Sequence, residues 1–254
     1  MKEIRSLLPD YDYIYLGDNA RAPYGTRSFE VVYEYTLQAV QKLFSMDCDL
    51  VIIACNTASA KALRQIQQTY LKEFENEKRV LGVIRPTTEL AGELTQTKEV
   101  GILGTNGTIA SNSYEIEINK FHPEVKVHQQ ACPMWVPLIE NQEHESEGGI
   151  YFVKKYLNEL LEKGRIDTII LACTHYPIIQ KTLEKYLDSD IQLISQGTIV
   201  AERLKDYLER HQWMKQKLST TGSIQYFTTE NPEFFNEKSS LFLGEKVQAN
   251  LLHW

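Results

Sequence analysis

Short apolar runs rich in β-branched residues recur along this chain, and each gives way to a stretch with helical spacing. The runs at 11–16, 50–53, 79–84, 99–104, 125–130, 168–172, 191–194 and 224–228 are too short for amphipathic helices and are bounded by turn residues, so they predict strands. Between them, positions such as Phe29, Val32, Leu37, Val40, Leu43 and Phe44 share one helical face. Another helix, with Ile199, Val200, Leu204, Tyr207 and Leu208, runs from Thr198 towards Trp213. Strands alternating with helices predict a parallel α/β sheet rather than a sandwich. At the start, Lys2 to Leu8 reads as the end of a helix stopped by Pro9. Residues 17–26 read as a loop long enough to suggest binding. After the strand at 224–228, an aromatic tail with Phe234, Phe235 and Phe242 is expected to pack back on the first domain.

One pattern occurs twice, as Asp49-Leu50-Val51-Ile52-Ile53-Ala54-Cys55-Asn56-Thr57 and as Asp167-Thr168-Ile169-Ile170-Leu171-Ala172-Cys173-Thr174-His175. In each copy the continuous apolar run predicts a strand buried on both faces, as central parallel strands are. A cysteine ends the strand, and helical spacing starts behind it, at Ala58, Ala62, Leu63 and Ile66 in one copy and at Ile178, Ile179, Leu183 and Leu187 in the other. Each thiol is thus placed between a strand's carboxyl end and a helix's amino end. Unpaired N–H groups there favour negative charge, and both thiols are expected to titrate below the free value of about 8.5. The same place in an open α/β sheet binds anionic ligands. A single such cysteine is as readily a small buried hydrophobe. Two copies sharing four of nine residues in one register point instead to a paired role, and to two domains.

Composition narrows the function without naming it. The chain has 254 residues, 43% hydrophobic and 24% charged, as an ordinary soluble globular protein does. No run approaches the roughly eighteen apolar residues of a membrane span, and Met1 to Arg5 does not open a signal peptide, so a cytoplasmic location without membrane attachment is expected. A net charge of −7 argues against nucleic-acid binding and leaves room for a small anionic ligand. The four cysteines, at 48, 55, 132 and 173, show no C-x-x-C pairing, so neither a metal site nor a disulfide frame is expected. The segment Gly101-Ile102-Leu103-Gly104-Thr105-Asn106-Gly107-Thr108 has the wrong glycine spacing for a dinucleotide fingerprint. It reads as a tight strand-to-helix turn, with the Thr105 and Thr108 hydroxyls available to a ligand.

Six segments together resemble the glutamate racemases of the aspartate/glutamate racemase superfamily. They are G-D-N-A-R-A-P-Y-G (17–25), A-C-N-T-A-S-A (54–60), G-V-I-R-P (82–86), G-I-L-G-T-N-G-T-I (101–109), V-P-L-I-E (136–140) and L-A-C-T-H-Y-P (171–177). The resemblance covers nearly the whole chain. It implies an α/β fold of two doubly wound parallel-sheet domains, related by internal pseudo-symmetry and facing each other across an active-site cleft. Residues 1–80 plus 195–254 would form the first domain and 81–194 the second, with crossings near Arg85-Pro86 and Ser195-Gln196-Gly197. It further implies interconversion of L- and D-glutamate without pyridoxal phosphate, metal or other cofactor, supplying D-glutamate for peptidoglycan, in a protein that works as a homodimer.

Inverting a Cα centre requires a proton to leave one face and another to arrive at the opposite face, so two acid–base groups must flank the carbon. By resemblance, Cys55 takes the proton from D-glutamate and Cys173 from L-glutamate. His175 manages the proton beside Cys173, and Glu140 orients His175. Substrate contacts fall to Pro23, Tyr24, Gly25, Asn56, Thr57, Thr105, Thr108, Thr174 and His175. Alternatives are an aspartate or hydantoin racemase of the same superfamily, a truncated glutamate-binding relative without turnover, and a thiol hydrolase using Cys173 and His175, which leaves Cys55 unexplained. One departure from the family stands out. Its members ordinarily begin with a strand ending in Asp-Ser-Gly, and none precedes Met1 here. The expectation is a first-domain sheet that lacks an inner strand and an acidic helper for Cys55.

Overall fold

The computed structural model describes residues 1–74 and 77–254. Nine strands are described: β1 (Tyr13–Gly17), β2 (Leu50–Ile53), β3 (Arg79–Gly82), β4 (Glu99–Gly104), β5 (Lys126–Ala131), β6 (Thr168–Ala172), β7 (Gln192–Ser195), β8 (Ile224–Thr228) and β9 (Ala249–Leu251). Every pair among them is parallel. One sheet runs β5-β4-β6-β7, the other half of the molecule carries β1-β8-β9, and β2-β3 form a separate ladder.

The β5-β4-β6-β7 sheet is covered on both faces, which is why its inner strands are continuously apolar. Leu103, Ile169 and Leu171 meet the helix Glu147–Leu161 and Trp135 on one side. Ile102 and Ile170 meet Tyr114 and Ile118 of the helix Ser113–Phe121 on the other. All five residues of β6 are buried. In the other half, Val51 and Ile53 of β2 pack on Val32, Val40 and Phe44 of the helix Phe29–Ser45. Leu50 and Ile52 face Val200 and Leu204 of the helix Gln196–Arg210. The two chain crossings are pinned side by side, because the buried Gln196 amide donates to the Val83 carbonyl at 3.0 Å and to Thr87 Oγ1 at 3.2 Å.

The two copies of the duplicated element differ more than their sequences suggest. The second copy's strand, β6, is hydrogen-bonded on both sides, whereas β2 pairs with β3 alone among the described residues and its burial alternates. Neither cysteine is followed by one long helix. Behind Cys55 the chain forms two short helices, Asn56–Lys61 and Leu63–Gln68, and behind Cys173 a 3-10 turn, Tyr176–Ile179, then Gln180–Glu184. The aromatic tail also divides. Phe235 packs on Tyr15 in the β1-β8-β9 half as expected, but Phe242 sits against the Trp135 core of the other half and Phe234 is 54% exposed. All three lie on the helix Pro232–Leu243, which spans the boundary between the halves.

Candidate active site

The sequence-predicted residues gather at the carboxyl ends of β1, β2, β4 and β6, where the parallel strands of both halves point their following loops. Cys55 is the N-cap of Asn56–Lys61, and its Sγ accepts the Ala58 N–H at 3.5 Å. The expected lowering of this thiol is not found. Burial pushes its pKa up, the Ala58 N–H opposes that incompletely, and the nearness of Cys173 adds to the rise. A six-residue helix offers few N–H groups to offset the loss of water around the half-buried thiol.

Cys173 Sγ lies 3.9 Å from His175 Nδ1, and His175 Nε2 lies 2.6 Å from Glu140 Oε1. Because a carboxylate only accepts, the ring nitrogen facing Glu140 carries a proton. Burial alone would lower the His175 pKa, but its hydrogen bonds and charge contacts with Cys173 and Glu140 outweigh that and raise it to about 9. Glu140 is held down to about 2, chiefly by His175 and, against its burial, also by Lys238. Lys238 Nζ donates to Glu140 Oε2 and to the Glu140 carbonyl, each at 2.9 Å. Tyr15 on β1 is near both Cys55 and Glu140, and burial first, then those two groups, keeps its phenol neutral.

Hydroxyls close a triangle across the halves: Thr57 Oγ1 is 2.8 Å from Thr105 Oγ1 and 3.2 Å from Thr108 Oγ1, which are 3.1 Å apart. Asn56 is buried, and its Oδ1 accepts the Tyr114 hydroxyl at 2.6 Å, also across the halves. Gly25 packs where a Cβ would stand 2.8 Å from Thr105 Cβ, and its carbonyl accepts the Gly107 N–H at 2.8 Å. Tyr24 is fixed by donating to Asp18 Oδ2, which also accepts Arg21 Nε at 2.6 Å. Pro23 and Thr174 are exposed at the same ends of their strands.

The structure therefore joins Thr57 to Thr105 and Thr108, and Cys173 to His175 and Glu140. Lys238, Tyr15 and Tyr114 were not anticipated. Only Lys238 leaves a trace in the sequence, as a cation between Phe234 and Phe242 at helical spacing. Among the described residues, no three His, Cys, Asp or Glu side chains gather as metal ligands. Nor is any described helix long and apolar enough to cross a membrane.

Residues 2–204 match the family model for Asp/Glu/hydantoin racemases. Glutamate racemase of Geobacter metallireducens is 37% identical over 247 residues, covering 97% of this chain and 88% of that protein. The crystal structure of a glutamate racemase isoform from Bacillus anthracis superposes with a TM-score of 0.89 at 32% identity, covering 99% of this chain and 91% of that one. The Francisella tularensis glutamate racemase, solved with D-glutamate, superposes with a TM-score of 0.86 at 30% identity, covering 99% and 91%.

Proposed function

Because the chain belongs to the Asp/Glu/hydantoin racemase family and stands there with the glutamate racemases, we propose that it interconverts L- and D-glutamate with two cysteines as the only proton carriers at Cα. The observation that carries this reading is the pair of strand-end thiols, one from each half, with Cys173 backed by His175 and Glu140.

With L-glutamate bound, Cys173 takes the α-proton as His175 and Glu140 hold the charge beside it, while Cys55 delivers its thiol proton to the opposite face. In the D-to-L direction the roles exchange. Each turnover leaves the two thiols in swapped protonation states, and solvent resets them. In the L-to-D direction, the upward push that burial gives the Cys55 pKa suits a thiol that must remain a proton donor until the carbanion forms. Asn56, Thr57, Thr105, Thr108, Thr174 and the loop Pro23-Tyr24-Gly25 surround the substrate's carboxylates and ammonium. Their hydroxyls and N–H groups strengthen as water leaves the cleft. The net reaction is redox-neutral, because a proton lost and a proton gained at one carbon balance without an electron acceptor.

Strand membership supports dividing the chain into 1–80 plus 195–254 and 81–194, with β3 carrying the first unit on to Gly82. The product serves peptidoglycan synthesis in the cytoplasm, and the assembly is a homodimer. These last points rest on family likeness, and light scattering on the purified protein tests the dimer. Circular dichroism of L- and D-glutamate solutions tests the reaction. The signal from either enantiomer should decay to zero. Persistence of both signals with an excess of folded protein would leave a binding protein, and decay with aspartate alone would move the assignment to the aspartate branch.

A further inference from the structure

Lys238 lies outside every motif that carries the family likeness, yet it makes a direct polar contact from the β1-β8-β9 half to the residues behind Cys173. Glu140 is the last residue of the helix Trp135–Glu140, so its carbonyl is among those a helix leaves unpaired. Lys238 Nζ donates at 2.9 Å both to that carbonyl and to Oε2. Oε1 faces His175 at 2.6 Å, so the two carboxylate oxygens are committed in opposite directions and the side chain cannot turn without losing a charged partner. The lysine is itself braced. Its ammonium lies 4.7 Å from the Phe234 ring centroid, and Phe242, one turn further on, is packed in the Trp135 core. Lys238 is 28% exposed and Glu140 34%, and ion pairs so open to water add little to stability. Orientation is what such a contact supplies.

We propose that Lys238 is a positioning residue for the Cys173 half of the reaction, tying Glu140 to the opposite half of the molecule so that His175 stays aimed at the Cys173 sulfur. The proposal rests on the roles given above to Glu140, His175 and Cys173. It also makes the aim of His175 depend on the two halves being correctly docked, because the anchor and the anchored residue sit on different helices, 98 positions apart.

The test uses the full chain with Lys238→Met, Lys238→Gln and Lys238→Arg, alongside Glu140→Gln and His175→Gln. The main readout is the primary deuterium isotope effect on kcat/KM, measured from each enantiomer of glutamate labelled at C2. The transfer at Cys173 breaks the labelled bond only when L-glutamate is the substrate. A misaimed His175 slows that transfer, so the effect should rise from L-glutamate and fall from D-glutamate. The overall rate should drop about ten- to a hundred-fold, as displacements near 1 Å at reacting groups do. Arginine, which can still reach carbonyl and carboxylate, should restore most of both. The Met and Gln variants should melt within a few degrees of the parent.

A loss of rate with both isotope effects unchanged would assign Lys238 a merely structural role and overturn the proposal. So would parental rates in the Met and Gln variants while Glu140→Gln and His175→Gln are impaired. Parental behaviour in Glu140→Gln and His175→Gln as well would instead overturn the underlying assignment of those two residues.

Discussion

Replacing Glu140 by glutamine keeps the size of the side chain and an acceptor for His175 but deletes the charge. His175 is raised from 6.5 to about 9 even though burial opposes the rise. At about 1.4 kcal/mol per pKa unit, that shift amounts to roughly 3 kcal/mol of preference for the imidazolium. Cys173 and Glu140 share the work, and the carboxylate is the nearer partner, at 2.6 Å against 3.9 Å. Cys173 is nonetheless the larger of the two causes, so with somewhat less than half of the total assigned to the carboxylate, the variant's His175 should titrate about one unit lower. If protonated His175 is what keeps the Cys173 side competent, the basic limb of kcat/KM falls by the same amount. At pH 8.5 the variant then loses about four-fold relative to its own optimum, whereas near pH 6 the loss is small. The rate is followed by circular dichroism across pH 5–10, with the His175 ring titrated independently by NMR. The two thermal signs also follow. The raised His175 contributes stability in full below its ordinary 6.5 and loses it as pH rises through about 9. The depressed Glu140 contributes above its ordinary 4.5 and loses it as pH falls through about 2. The parent's melting temperature should therefore be highest between about pH 4.5 and 6.5 as far as this pair is concerned, and the variant should lack that maximum. A basic limb in Glu140→Gln at or above the parental pH, with an NMR titration to match, would refute the reasoning.

The remaining expectations concern the thiols, the triangle of hydroxyls and the loop. Cys55→Ser and Cys173→Ser should each abolish racemisation while leaving the melting temperature near parental, because an alcohol is too weak an acid and base here; near-parental turnover in either would end the two-thiol mechanism. Thr57→Val should cost about 1 kcal/mol in denaturant unfolding, through loss of one hydrogen-bonding corner shared by the two halves, and should raise KM for glutamate. Gly25→Ala sets a methyl 2.8 Å from Thr105 Cβ, so the loop must shift; KM should rise several-fold with little change in unfolding, and an unchanged KM would show the loop to be remote from the substrate. Dialysis against a strong chelator, or omission of pyridoxal phosphate, should leave the rate untouched, and recovery of lost activity on adding either would refute a reaction carried by two thiols alone.

Where the chain repeated one physical instruction over several residues, the fold could be read directly. The β-branched runs ending in Cys55 and Cys173 are such instructions, and both produce parallel strands with the thiols at their carboxyl ends. Strand β9 gave no such signal, because Ala249-Asn250-Leu251 is too short to show a period. The aromatic tail with Phe234, Phe235 and Phe242 was expected to pack on the first domain, but aromatic content says nothing of which half each ring will meet, and Phe242 crosses over. Thr57, Thr105 and Thr108 were each suspected singly; that they touch depends on how two sheets dock, which local pattern does not encode. The titration of Cys55 could not be read at all, because the sign follows from burial weighed against hydrogen bonding, and only the packed structure weighs them. The role of Lys238 was not legible from its helical spacing alone, since its partner is 98 positions away.

The unequal seating of the two duplicated strands has a consequence for the precision of the chemistry. Strand β6 is laddered to β4 and β7, while β2 holds to β3 alone among the described residues. Cys173 therefore rides on a stiff support and Cys55 on a softer one. Amide exchange at Ile52 and Ile53 should outpace that at Ile170 and Leu171, reporting more frequent local opening on the Cys55 side. Of the two acid–base groups, the Cys55 sulfur is then the one with more freedom to adjust to the single face of the carbon it serves.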